Sequence, residues 1–259
     1  MRVLLFMAVC IGSFRLQAQY TVIHCIGKIQ DVSSGEYLRP GMKLGESAQL
    51  KFETAGAKAA ALSPSRGRCV IQMQSTTGAS NELLYVLSSV LSPAQGRLST
   101  RAGAINNRLD FQKKFGEGAV AWLSETYKVA VSPTAYPMSN TQFFYASYEY
   151  QGERINKKLG FEQDTLIFEK TSFFSIDDRL IDAEKAANIE LYYYDERNEE
   201  SERLTTIDFN LVSDDDLRGL LESLAGIEKS ERAEVTLDFV NTLYGKCTPG
   251  EMDRALKSL

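Results

Sequence analysis

Histidine is almost missing from this sequence: the 259 residues contain one, His24. Imidazole is the usual general base near neutral pH and the commonest transition-metal ligand, so a Ser-His-Asp or Cys-His hydrolase would rest on that single residue. His24 lies in a strand-like run beside Cys25, and neighbours along a strand point to opposite faces, which separates that pair. Phosphate-cradling loops are absent as well. No GxxxxGK[ST] occurs, and Gly116-Glu117-Gly118 is not followed by the last glycine of a dinucleotide fingerprint, so no nucleotide cofactor is indicated. No two cysteines have the CxxC spacing of structural zinc. Calcium loops need oxygen ligands at alternating positions, often with a turn glycine; Asp195-Glu196-Arg197-Asn198-Glu199 lacks that rhythm and carries a cation. The sequence therefore assigns no catalytic, cofactor-binding or metal-ligating residue. An excess of base is missing too: 29 Lys and Arg stand against 34 Asp and Glu, a balance that does not draw a protein to nucleic acid or anionic lipid.

Long apolar runs are equally scarce. The uncharged stretch Val3 to Gly12 follows Arg2 and precedes a polar segment, Ser13 to Gln19. It is too short to span a bilayer and has the three-part layout of a cleavable secretory signal. A signal over residues 1–18 ends at Ala18, with Leu16 two residues before it, and leaves Gln19 as the new N-terminus. This Ala-Gln ending resembles signals of Gram-negative bacteria, and it implies export to the periplasm or beyond. Cys10 raises lipidation as an alternative, although Val9 is bulkier than the residue that usually precedes a lipidated cysteine. Losing Arg2 and Arg15 moves the formal charge from −5 by two units to −7. No later stretch approaches the length of a membrane span.

Three cysteines then remain, Cys25, Cys69 and Cys247. Outside the cytoplasm thiols tend to pair, and Cys25 with Cys69 is the candidate disulfide because both fall in strand-like runs of the first half. From Tyr20 to about Met73 short alternating runs are broken by Gly35 and Pro40-Gly41, which predicts a small antiparallel β-domain over residues 19–78. Gly27, Leu38, Gly41, Leu44, the Gln49-Leu50-Lys51-Phe52 run and the alanine-rich Ala57 to Ala61 segment resemble the rhythm of FecR-like domains. Those are small β-domains of bacterial envelope and sensor proteins. The resemblance implies an envelope-side regulatory or binding module.

Residues 79–140 read as a helical connector and linker. Asn81 to Leu91 has apolar residues at helical spacing and stops before Pro93; Leu109 to Phe115 and Val120 to Tyr127 are further short helices; Lys128 to Val131 is a strand. Small and turn-forming residues from Ser92 to Asn107 mark the linker. Residues 141–259 read as an α+β domain. Phe143 to Tyr150, Arg154 to Phe161, Thr165 to Glu169 and Ile189 to Tyr194 are aromatic or β-branched runs of an antiparallel sheet. Three helices follow: one capped by Ser213 and ending near Gly226, one over about Ser230 to Tyr244, and one opening at Thr248-Pro249. The expected fold class is thus α+β, with a small all-β N-terminal domain, a helical connector, and an antiparallel sheet with C-terminal helices.

Acids cluster at Asp177-Asp178, Asp195-Glu196, Glu199-Glu200 and Asp214 to Asp216, in positions suited to turns, a charged loop and a helix cap. In Tyr192-Tyr193-Tyr194 the outer two rings share one face of a strand and the middle ring takes the other, so a sheet with one solvated face exposes part of the row. These three tyrosines are the candidate partner surface. Taken together, the residues point to an exported, non-enzymatic binding or scaffold protein that contacts other envelope proteins. Two alternatives remain open: a carboxylate-based enzyme acting on a glycan or cell-wall polymer, and an envelope-side regulatory module.

Overall fold

The computed structural model describes residues 19–73, 84–93 and 103–259; the proposed leader, residues 1–18, lies outside them. The chain divides into two compact units, Met1–Pro93 and Ala94–Leu259. Antiparallel sheets with C-terminal helices make the fold α+β.

The first unit contains β1 (Gln19–Ile26), β2 (Ile29–Asp31), β3 (Lys43–Gly45), β4 (Gln49–Phe52), β5 (Lys58–Ser63), β6 (Gly67–Gln72), β7 (Leu84–Val86), the single turn α1 (Leu87–Val90) and β8 (Leu91–Pro93). One sheet runs β3-β1-β5-β6-β8 and a second runs β2-β4-β7. Alternation puts Tyr20, Val22, Ala59, Ala61 and Ile71 of the first sheet and Ile29 and Leu50 of the second into one core. The alanines of β5 let its neighbours pack closely. Between β1 and β2 the chain turns at Gly27, where φ is +72° and an added Cβ would come within 3.0 Å of Ala57 Cβ. The helix expected over Asn81 to Leu91 is reduced, among its described residues, to a single turn. Its described part is strand, one helical turn, then strand, because β4 and β6 supply edges to which β7 and β8 bond.

The second unit begins with α2 (Arg108–Phe111), which continues as a π turn over Gln112–Gly116. Next come β9 (Val120–Trp122), β10 (Thr126–Ala130), β11 (Gln142–Tyr150), β12 (Glu153–Lys158), β13 (Gly160–Glu162), β14 (Thr165–Glu169), the turn α3 (Lys170–Phe173), β15 (Ser175–Ile176), β16 (Arg179–Leu180), β17 (Ala187–Asp195), β18 (Glu200–Thr206) and β19 (Phe209–Leu211). Three helices close the chain: α4 (Asp214–Ser223), α5 (Lys229–Leu243) and α6 (Pro249–Ser258). The main sheet is β12-β11-β17-β18, a smaller one is β10-β14-β13, and β9 pairs with β19 in parallel. Val120 to Tyr127, expected to be helical, is instead β9 and the start of β10. All three residues of β9 are buried, and burial on both faces erases the alternation that would have announced a strand. Likewise β18 falls where a charged loop was expected after Tyr194; as an edge strand it carries Glu200, Glu202 and Arg203 on exposed positions.

The inner side of the main sheet mixes aliphatic residues, Ala146, Ile189, Leu191 and Leu204, with aromatic ones. Phe144, Tyr148 and Tyr193 join Phe111, Phe115, Tyr127, Phe168 and Phe173 around Trp122. Sequence-distant pieces lock onto this core through backbone bonds: Lys246 N donates to Ala119 O at 2.8 Å and Ala121 N to Lys246 O at 3.0 Å.

Candidate functional site

Strands β11 and β17 pair with Phe143 opposite Tyr194, Phe144 opposite Tyr193, and Tyr145 opposite Tyr192. Partners across a ladder share a face, so Phe144 and Tyr193 enter the core while the other four rings line the outer face. Tyr193 is only 9% exposed and its hydroxyl donates to Pro137 O at 2.7 Å; Tyr192 and Tyr194 are half-buried. The triplet is thus split by the sheet into one core residue and two on the candidate surface. Tyr145 and Tyr192 stack with centroids 4.9 Å apart and planes 7° from parallel, and Phe143 meets Tyr194 at 5.3 Å.

Polar groups from four strands surround the rings. Lys158 of β12 sets its ammonium 3.9 Å above the Phe143 ring centre, a cation–π contact. The Tyr145 hydroxyl lies 2.6 Å from Ser201 Oγ of β18. Arg154 donates to Ser147 Oγ at 2.7 Å, Glu190 Oε2 at 3.1 Å and the Tyr192 hydroxyl oxygen at 3.0 Å. Tyr192 in turn donates to Glu190 Oε2 at 2.7 Å, and Arg203 Nε lies 2.6 Å from Glu190 Oε1. The hydrogen bond from Tyr192 and the two guanidinium groups hold the Glu190 carboxyl below its ordinary range, while burial raises the Tyr192 phenol.

Two irregularities build this arrangement. The β17–β18 register shifts between Leu191 and Tyr192, so Leu204 and Thr205 both face the buried side and Arg203 arrives opposite Tyr192. At the other end the β11–β17 register shifts between Ser147 and Glu149, where Asn188 adopts φ +53° and its amide donates to Glu149 Oε2 at 3.1 Å. Between the bulges lies a cleft of about 330 Å³ lined by Arg154, Glu190, Arg203, Asn188 and Glu149.

No protein-family model, curated protein or solved structure matches this chain.

The remaining singled-out residues lie elsewhere. Strand β5 separates Cys25 of β1 from Cys69 of β6. Two strand spacings put them roughly 10 Å apart, beyond the reach of a disulfide, and Cys25, Cys69 and Cys247 are all free thiols. Burial raises Cys25 to about 11 and moves Cys69 and Cys247 upward as well, which leaves these thiols poor nucleophiles. His24 is buried next to a bulge in β1. Among the described residues no group of three or more His, Cys, Asp or Glu is arranged to hold a metal, and no helix is long and apolar enough to cross a membrane.

Three of the four acidic clusters have local work. Asp177 and Asp178 form the β15–β16 turn with φ of +48° and +60°. Asp195 accepts two bonds from the Arg197 guanidinium, at 3.0 and 2.6 Å, one from the Arg197 backbone N–H at 3.1 Å and one from Gln142 at 2.9 Å, which bring its carboxyl down to about 2. Asp216 caps α4 together with Ser213. The tyrosine row is legible in the sequence, whereas Arg154, Glu190, Arg203 and Ser201 come from three strands, and only the bulged register joins them to it.

Proposed function

We propose that this is an exported, non-enzymatic binding protein of the bacterial envelope, and that it holds another envelope protein on the outer face of the β12-β11-β17-β18 sheet. The observation that carries the reading is the make-up of that face: stacked tyrosines, a phenylalanine, two arginines, serine and asparagine on one rigid sheet. Tyr and Arg are the side chains most enriched in protein interfaces, since each combines large contact area with directed hydrogen bonds. Glu190, saturated by two guanidinium groups and a phenol, serves as the anchor of that network rather than as a proton carrier. The apolar leader before Gln19 supports export, and the FecR-like rhythm of residues 20–74 points to the same compartment.

The test is site-specific photo-crosslinking in living cells, with the reactive residue placed at Tyr145, at Tyr194, or at the exposed Leu180 on a different hairpin. One discrete adduct shared by the first two positions, absent at Leu180 and lost in Arg154→Glu, is the expected result. Failure of both sheet positions to form it across growth stages would overturn the reading.

A further inference from the structure

We infer that a second cleft, above the small β10-β14-β13 sheet, binds a small organic anion with a phosphate or carboxylate headgroup. The cleft has a volume of about 400 Å³, within the range of small-molecule sites. Its floor is the outward face of the small sheet, where Lys128 pairs with Ile167 and Thr126 with Glu169, and Gly160 leaves room opposite Ile167, since an added Cβ would stand 3.9 Å from the Ile167 Cβ.

Lys157 gives the cleft its charge. Within β12 it pairs with Ala146, and Ile155 pairs with Tyr148. Ala146 and Tyr148 face the core, so Lys157 belongs to the inward side of an edge strand, yet it lines this cleft. It has no ion pair among the described residues. An inward charge on an edge strand also discourages sheet-to-sheet association, but that role needs neither a cavity nor a second cation. Lys128 is the second cation. Its ammonium lies 3.4 Å from Glu162, with both side chains substantially exposed, a weak pairing that an incoming anion readily exchanges. Lys158 lines the cleft too, although its ammonium turns out to Asn140 O at 3.2 Å.

Glu169 fixes the polarity. It sits one side-chain repeat along the strand from the Lys128 end, roughly 7 Å away, and repels a second anionic group there. The headgroup therefore lies between Lys128 and Lys157, with a neutral body over Ile167 towards Ser172. Flexible ammonium groups, unlike a guanidinium fork, do not select planar carboxylate over tetrahedral phosphate, so the shared chemistry is a compact anion.

Calorimetric titration of the mature chain with glycerol 3-phosphate and with citrate, at constant ionic strength, tests this. Saturable binding of at least one probe is expected, weakened about tenfold by Lys157→Gln and by Lys128→Gln and unchanged by Lys257→Gln on α6. Binding of one probe alone identifies its headgroup as the natural chemistry, and binding of both leaves charge as the criterion. No saturation by either probe, or equal weakening by all three variants, would overturn the site; circular dichroism confirms that each variant is folded.

Discussion

Gly245 is the residue at which one added carbon does most damage. Its φ is +116°, and a Cβ there would lie 2.3 Å from Ala119 O, the carbonyl that accepts Lys246 N. Gly245→Ala is expected to destabilise the second unit by about 2 kcal/mol or more, measured by urea unfolding. The half-buried Cys25 thiol makes a different prediction. Its ionisation is raised from 9.0 to about 11, so its contribution to stability is complete below pH 9 and is lost as pH rises through 11. Alkylation of Cys25 in the native protein should accordingly climb towards a midpoint near pH 11; a midpoint near 9 would show that the thiol is not desolvated. Asp195 has the opposite sign. Lowered to about 2 from 3.8 by Arg197, it stabilises the β17–β18 turn above pH 4 and loses that effect as pH falls towards 2.

Among the elements, α6 shows how a local motif becomes a tertiary one. Thr248 and Glu251 form a reciprocal capping box, readable from sequence because both partners lie within four residues. Glu251 also meets Lys114 at 3.4 Å, and its charge adds to the burial that raises the Tyr127 phenol, effects that no local pattern encodes. Thr248→Ala is expected to cost about 1 kcal/mol. Glu251→Ala should cost more, because it also strips a partner from a largely buried Lys114, and thermal unfolding of the two variants checks the order. The same division separates the helices from the strands. Leu217, Leu220 and Leu224 announce α4 by their spacing, and Gly245 and Pro249 bracket the α5–α6 junction. By contrast β9 is buried on both sides, β18 is a charged edge, and the described part of the expected 81–91 helix is half strand and one helical turn, because pairing partners overrode its helical spacing.

At the scale of the whole molecule, Trp122 is the only tryptophan. It is fully buried, ringed by Tyr127, Phe168, Phe173, Phe174 and Phe209 at 4.7 to 6.3 Å. Its emission should be blue-shifted and insensitive to iodide in the native protein, and should report unfolding of the second unit alone. Quenching by iodide under native conditions would contradict that core. Composition, periodicity and capping by themselves determined the α+β class and the C-terminal helices, which depend on residues close together in the chain. The tertiary structure alone decided that the cysteines stay apart, which tyrosine is buried, and that Arg154, Glu190 and Arg203 converge on Tyr192. Those outcomes follow from strand order and from two bulges that shift register by one residue, and pairing between distant segments leaves no local trace in sequence.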